Sequence, residues 1–381
     1  MLAYFVVKIE AYDVEAFLKE IKDYDPNGVV LVLTYASEIL VKHKPTHIHL
    51  KDRYQYSRPG TITGNRWIKW PAFVWQMTTI IGKVLWREKV DRFIIEGGDM
   101  ILWIAQIFKK LGRIKRTYVI FSDWSPPKVT GDIFLRLNIF KLWVNDVILN
   151  WFDTSVIVTT GEIFHARNRY WENKTLRNSK LVDNYWARLL EKKVSSRDES
   201  ANHIVFLGNV RRRFGIELLF EILPDLYRDY GIRLKIIGPE TDLYREYKEL
   251  SAKRGLGTYI EWRGFVPLSE FSKELKDCFC GVNTQELEAN TSSYAIAGRV
   301  VNYFQYMITP IVTPQSGPIV RFIRDHELGV ICEPNPESLK KAIVETYQGR
   351  KHYLENIDRF LQKNPYHKSF IDILDTRAVG G

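Results

Sequence analysis

Cysteine is scarce in this 381-residue chain: Cys278, Cys280 and Cys332 are the three it has. They form no C-x-x-C pair, so no disulfide framework and no cysteine zinc spacing is available. All three fall on predicted apolar strands, which makes buried free thiols and a reducing compartment the expectation. Long apolar runs are missing as well, because Lys, Arg, Asp or Glu interrupts each one before it reaches the length of a spanning helix. Met1 to Glu10 lacks a cleavage-like small-residue site, with Glu10 and Asp13 close behind, and reads as a first strand rather than a signal peptide. The expected location is therefore cytoplasmic, and the sequons at Asn173 and Asn290 are expected to stay unmodified. No Walker loop, G-x-S-x-G or H-E-x-x-H is present, which removes the commonest nucleotide hydrolase, serine hydrolase and zinc protease signatures. Low-complexity segments and internal repeats are absent too.

What is there is enough for two domains of ordinary size. Charge is split unevenly between them. Residues 1–190 hold 28 Lys and Arg against 19 Asp and Glu, and residues 191–381 hold 27 against 26, so nearly all of the net +10 sits in the first half. Ten of the eleven tryptophans lie between Trp67 and Trp186. A basic half rich in interfacial aromatics suits an acidic partner, either a phosphorylated lipid at a membrane or nucleic acid. A solvated basic face over a tryptophan-containing core is the plainer alternative.

The second half alternates short apolar runs, glycine turns and helical periodicity. His203 to Leu207 ends at Gly208-Asn209, and Arg211-Arg212-Arg213 leads into an apolar-periodic segment from Ile216 to Leu226. Arg233 to Ile237 stops at Gly238-Pro239. After a charged helix come Tyr259 to Val266, Phe271 to Leu275, and a strand around Cys280-Gly281-Val282. A helix is predicted over Ser292–Met307, then strands at Pro310–Thr313 and Leu328–Ile331 and a last helix. This is the pattern of βαβ units on a parallel sheet. Ligands bind such sheets at the carboxyl ends of the strands, where Gly208, Gly238, Gly264 and Gln285 fall.

Over residues 204–347 this pattern resembles the donor domain of GT-B glycosyltransferases, most of all the family-4-type (group 1) enzymes. The resemblance is carried by Phe206-Leu207-Gly208, Ile236-Ile237-Gly238, Gly264-Phe265-Val266, Pro310-Ile311-Val312 and the register Arg299-Val300-Val301-Asn302-Tyr303-Phe304. It implies an α/β, GT-B chain of two Rossmann-like domains facing each other across a cleft. The first, 1–190, would bind the acceptor. A linker at 191–202 would lead to the nucleotide-sugar domain at 203–347, and a helical segment at 348–381 would pack back on the first domain. It also implies a glycosyltransferase that moves a sugar from a UDP- or GDP-sugar donor to a lipid-linked or cell-surface glycan. Donor contacts would come from Gly208, Asn209, Arg212, Arg213, Gly238, Phe265, Val266, Glu286, Ser292, Ser293 and Arg299. Two departures stand out. The family's Gly-Arg is Gly208-Asn209 here, leaving the phosphate cation among Arg211, Arg212 and Arg213. Its E-x7-E pair is not recovered, since Glu286 or Glu288 is followed eight residues on by no second glutamate. The stereochemistry therefore stays open between retaining and inverting.

Residues 1–185 read as a less regular α/β domain. Its candidate strands are Tyr4–Ile9, Val29–Thr34, His47–Leu50, Phe93–Glu96, Tyr118–Phe121 and Val156–Thr159. Its candidate helices are Val14–Tyr24, Pro71–Trp86, Met100–Lys110 and Ile133–Trp151. Two loops there bear carboxylates suited to acceptor chemistry. Asp99 closes Glu96-Gly97-Gly98-Asp99 between a strand and a helix, and Asp123 follows the strand Tyr118–Phe121. A carboxylate at either place can activate a hydroxyl, whereas helix capping and a simple turn are their ordinary uses. Asp23-Tyr24-Asp25 has D-x-D spacing without a strand to aim it, and His43, His47 and His49 have no supporting carboxylates, so no metal or other cofactor is expected. The helices at 71–86 and 133–151, with Trp75, Trp86 and Trp151 beside Lys83, Arg87, Arg136 and Lys141, suit a peripheral position on the inner face of an anionic membrane. A nucleotide-sugar 2-epimerase on the same fold and a nucleic-acid-binding protein or DNA glucosyltransferase are the competing readings. Nucleic acid is the less favoured partner.

Overall fold

The structure is a computed structural model that describes residues 2–6, 29–32, 89–96, 101–121, 154–170, 179–182, 190–194, 200–267, 270–285 and 296–366, with isolated positions between them. The chain divides into two compact units, Met1–Tyr185 with His367–Gly381, and Trp186–Tyr366.

The described part of the first unit is a parallel sheet in the order β2-β1-β3-β4-β5-β6. Its strands are β1 (Leu2–Val6), β2 (Val29–Val32), β3 (Val90–Glu96), β4 (Ile114–Phe121), β5 (Thr154–Val158) and β6 (Ser179–Leu181). Helix α1 (Ile101–Lys110) connects β3 to β4, and α2 (Gly161–Tyr170) follows β5. Phe93, Ile94, Ile95, Val119, Ile120 and Ile157 are all buried, as the near-continuous apolar runs of a two-faced parallel sheet require. Gln106 on α1 donates to Thr154 Oγ1 of β5 at 2.7 Å, pinning the helix to the sheet through a buried polar pair. The expected strand at 47–50 and helix at 14–24 lie outside the described residues. The helices expected at 71–86 and 133–151 are represented by helical residues at 79, 82, 85–87, 140 and 144.

The second unit is nearly continuous. It contains β7 (His203–Leu207), α3 (Ile216–Tyr230), β8 (Arg233–Ile237), α4 (Asp242–Lys253), β9 (Ile260–Gly264), α5 (Phe271–Glu274) and β10 (Cys278–Asn283). After these come α6 (Gly298–Gln305), β11 (Thr309–Val312), α7 (Ile319–His326), β12 (Val330–Ile331), α8 (Pro336–Gln348) and α9 (Arg350–Lys363). Every pair is parallel, in the order β12-β11-β10-β7-β8-β9. Counted within the unit this is the 3-2-1-4-5-6 arrangement of dinucleotide-binding sheets, and it reverses direction between β7 and β10. Capping matches the sequence at two starts: Thr241 Oγ1 accepts from the Tyr244 amide at 3.2 Å, and Asn335 Oδ1 from Ser338 at 2.9 Å.

Three expectations need correcting. The stretch read as a linker, 191–202, lies within the second unit, which begins at Trp186. Trp186 is 1% exposed and packs on Phe322 and Phe304 at ring distances of 4.6 and 6.2 Å, while the Lys193 amide donates to the Gln305 carbonyl at 2.8 Å. Of the segment 348–381 expected on the first domain, α9 packs on the second unit, while His367–Gly381 does group with the first. Phe360 meets Phe322 at 5.1 Å, Asn356 donates to the Glu327 carbonyl, and Asp358 pairs with Lys192 at 2.6 Å. Apolar residues at the start and end of this unit find each other, and polar sequence between them hid that contact. The third correction concerns α6, which begins at Gly298 and not at Ser292. Ala297 is its extended N-cap, and a glycine costs least at a helix end.

At the amino ends of its central strands the unit holds a cluster of charges. Lys235 on β8 is 4% exposed and donates to both carboxylate oxygens of Asp277, at 2.7 and 2.8 Å, and to the Glu274 carbonyl. His203 of β7 lies 3.1 Å from Glu261 and 3.4 Å from Asp277.

Candidate functional site

Three glycine strand ends of the second unit line up through the backbone. The Gly208 amide donates to the Ile237 carbonyl at 2.8 Å, and the Gly238 amide to the Gly264 carbonyl at 2.9 Å. Gly208 has φ of 96° and Gly264 φ of 67°, a region L side chains rarely adopt. A Cβ on Gly238 would stand 2.1 Å from the Gly208 carbonyl oxygen, so only glycine lets the two turns approach this closely.

Arg299 supplies the cation. It stands in the first turn of α6, and its guanidinium carbon lies 4.0 Å from the Phe214 ring centre and 4.4 Å from that of Phe206. Two aromatic faces hold the charge in place. Its Nη2 comes to 3.8 Å from the point where a Gly208 side chain would begin, which puts the cation at the crossing between β7 and β10. Arg299 and Gly208 were singled out from opposite ends of the sequence pattern, and the fold brings them together.

The other expected donor residues have varied surroundings. Arg212 is exposed and donates to Glu246 Oε1 of α4 at 2.6 Å, which pushes its already high pKa up further. Arg211 is exposed, and Asn209 is half-buried just beyond Gly208. Arg213 belongs to the 3-10 turn Arg212–Phe214. Phe265 is 44% exposed at the carboxyl end of β9, an uncommon place to leave an aromatic ring, with Val266 half-buried beside it. Glu286, Ser292, Ser293, Asp99, Asp123, Asp23, Asp25 and the histidines at 43, 47 and 49 lie outside the described residues.

The structure adds residues that pattern reading passed over. Tyr303, fully buried on α6, accepts from the Leu207 amide at 3.3 Å and donates to the Val205 or Val282 carbonyl, at 3.3 and 3.0 Å. Burial pushes its hydroxyl pKa up, so it stays protonated. Its ring lies where a Cβ of Gly281 would be, 2.5 Å from the nearest ring carbons, so the glycine in β10 exists to admit it. The glycine inside an apolar strand was the available signal. At the end of β10, Thr284 donates to the Phe214 carbonyl at 2.6 Å, fixing the turn under Arg299. Thr313 Oγ1 and the Gln285 backbone bond each other in both directions, at 2.8 and 2.9 Å. Asn283 is fully buried at the same strand end, with neither amide atom hydrogen-bonded among the described residues.

Residues 188–360 match the family model described as glycosyl transferases group 1. No curated protein matches the chain. Among solved structures, the sucrose-phosphate synthase of Thermosynechococcus elongatus is 13% identical with a TM-score of 0.66, over 96% of both chains. Anabaena HepE in complex with UDP and glucose is also 13% identical at 0.66, over 98% of this chain and 99% of that one. WaaG, a glycosyltransferase involved in lipopolysaccharide biosynthesis, is 10% identical with a TM-score of 0.61, over the whole of both chains.

Proposed function

Since residues 188–360 form a glycosyl transferases group 1 domain on a GT-B chain, the protein is a glycosyltransferase, and we propose that it moves a sugar from a nucleoside-diphosphate donor to a lipid-linked or cell-surface glycan. The observation that carries this reading is the aromatic-braced guanidinium of Arg299 beside the bare backbone of Gly208, where the sheet reverses. A diphosphate leaving group develops negative charge as the glycosidic bond breaks. A fixed cation at the amino end of α6 stabilises that charge without reorganising, which is the largest catalytic contribution such a site offers.

The proposal includes independence from divalent metal, with Arg299 and the 211–213 arginines in the metal's place. Arg212 is available for this because its pair with Glu246 is exposed and screened by water. The partly exposed ring of Phe265 offers the nucleobase an apolar wall, and Val266 extends it. Ser292, Ser293 and Glu286 keep their proposed places around the phosphates and donor sugar. Asp123 and Asp99 keep theirs toward the acceptor hydroxyl. The solved HepE complexes contain UDP with glucose or UDP-glucose, which supports UDP as the first nucleotide to try. The involvement of WaaG in lipopolysaccharide biosynthesis supports a cell-surface glycan as acceptor.

Isothermal titration with UDP, GDP, ADP and dTDP, alone and as sugar conjugates, tests the reading. Saturable binding of one of them, followed by slow donor hydrolysis, is the expected result. Failure of all four to bind folded protein overturns it.

A further inference from the structure

Glu240 stands just past the carboxyl end of β8, after Gly238-Pro239 and before Thr241, the residue that caps α4. Although the residue is exposed, its carboxylate leans over the next strand end. A Cβ on Gly264 would stand 2.9 Å from Glu240 Oε1, so the bare backbone closing β9 gives that oxygen its place. The buried Tyr244 hydroxyl accepts from the Gly264 amide at 2.9 Å. Burial, and then the nearby Glu240 charge, push that hydroxyl up against the pull of the Gly264 bond.

The cations around this turn are engaged elsewhere. Arg245 donates to the Glu240 carbonyl at 3.0 Å and pairs with Asp242, while Arg263 pairs with Glu274. Among the described residues nothing donates to the Glu240 carboxylate. Two acceptor oxygens thus stand open at the root of the Gly264-Phe265-Val266 turn.

That turn is where the proposed donor would put its base. Strand β8 separates β7 from β9, so the end of β9 lies about 10 Å from Gly208. With the diphosphate at Gly208, the ribose spans this gap and the base reaches Phe265. Bases differ in what they show a carboxylate, which can only accept. Guanine presents two adjacent donors, N1–H and the 2-amino group, which match its two oxygens as a guanidinium fork does. Uracil and thymine present one N–H flanked by two carbonyls, and those carbonyls are repelled. Adenine sets a ring acceptor beside its amino group.

We propose that Glu240 reads the nucleobase of the donor and makes this chain a user of GDP-sugars. The assignment rests on the donor reading and narrows it to one of the two nucleotides expected for the fold. UDP occupies the solved HepE complexes, so the base is where this chain departs from them. A site built to bond two donors rejects a base that lacks them, because its oxygens are then left unpaired. An acid after the second strand of such a sheet can instead hold a ribose hydroxyl. That role would serve every nucleotide alike.

Isothermal titration with GDP, inosine diphosphate and UDP separates the two roles. Wild type should bind GDP about tenfold or more tightly than UDP. Inosine diphosphate lacks the 2-amino group and should fall between them. Glu240→Gln replaces one acceptor oxygen by a donor. It should lose most of the preference for GDP over both other nucleotides while keeping its affinity for UDP. The side chain is exposed and keeps its size, so the fold is retained. Should the variant melt early, the wild-type affinities decide alone. Equal binding of GDP and UDP by wild type, or wild-type ratios in the variant, overturns the assignment and leaves the donor reading standing. A loss in the variant that is equal for all three nucleotides gives Glu240 to the ribose and overturns it as well. Failure of every nucleoside diphosphate to bind removes the donor reading itself, and this assignment with it.

Discussion

Arg299 shows how one side chain joins two kinds of information. Its place in a helix that follows a polar loop is local, and the sequence displays it. Its bracing by Phe206 and Phe214 comes from segments far away in the chain, and only folding reveals it. Arg299→Ala removes the charge and leaves both rings in place. Donor binding should weaken by roughly 1.5–3 kcal/mol, the usual worth of a charge-assisted bond to phosphate. Isothermal titration of folded variant measures this, and an unchanged affinity refutes the assignment. Gly208 and Gly238 were readable for the same reason as Arg299, since a glycine after an apolar run marks a strand end. Tyr303 was not. Its bond to the Leu207 amide spans 96 residues, and no local spacing encodes such a partner.

Among the elements, the strands of the second unit were the most legible. Each is a run of buried residues ended by glycine or a polar turn, and β7 and β8 begin and end where the pattern put them. Boundaries set by tertiary contact were harder, as α6, α9 and the supposed linker show. Lys235 belongs to the same class. A lysine within an apolar strand gives no hint that Asp277 waits beside it. Burial pushes the Asp277 carboxyl up, but the Lys235 ammonium and His203 pull it down further, and it ends below the usual carboxylate range. A depressed folded pKa gives stability that is complete above the unfolded value, about 3.9, and is lost as pH falls through the folded one. Asp277→Asn should therefore cost roughly 2 kcal/mol near neutrality. The deficit should narrow as the medium is acidified below the usual carboxylate range, which urea titrations across that interval will measure.

For the molecule as a whole, composition gave the two-domain plan and the uneven charge, because both are sums that survive ignorance of the contacts. The helices chosen from tryptophan spacing, 71–86 and 133–151, lie mostly outside the described residues, though Trp86 and Phe140 within them are exposed. Metal independence belongs to this scale too, since it concerns where the molecule finds its positive charge. Turnover should be unchanged in excess EDTA, and activity abolished by chelation and restored by manganese or magnesium would refute it. One last property follows from where the sulfur atoms lie. Cys278, Cys280 and Cys332 are all buried in the second unit, two on the central strand β10 and one just past the edge strand β12. Burial pushes the Cys280 thiol well above its ordinary range and that of Cys332 up to about 12. Only the thiolate reacts, so alkylation of native protein waits for the sheet to open. Labelling kinetics then become a clock for that opening, with Cys332 marking the fraying of an edge and Cys280 the loss of the whole unit.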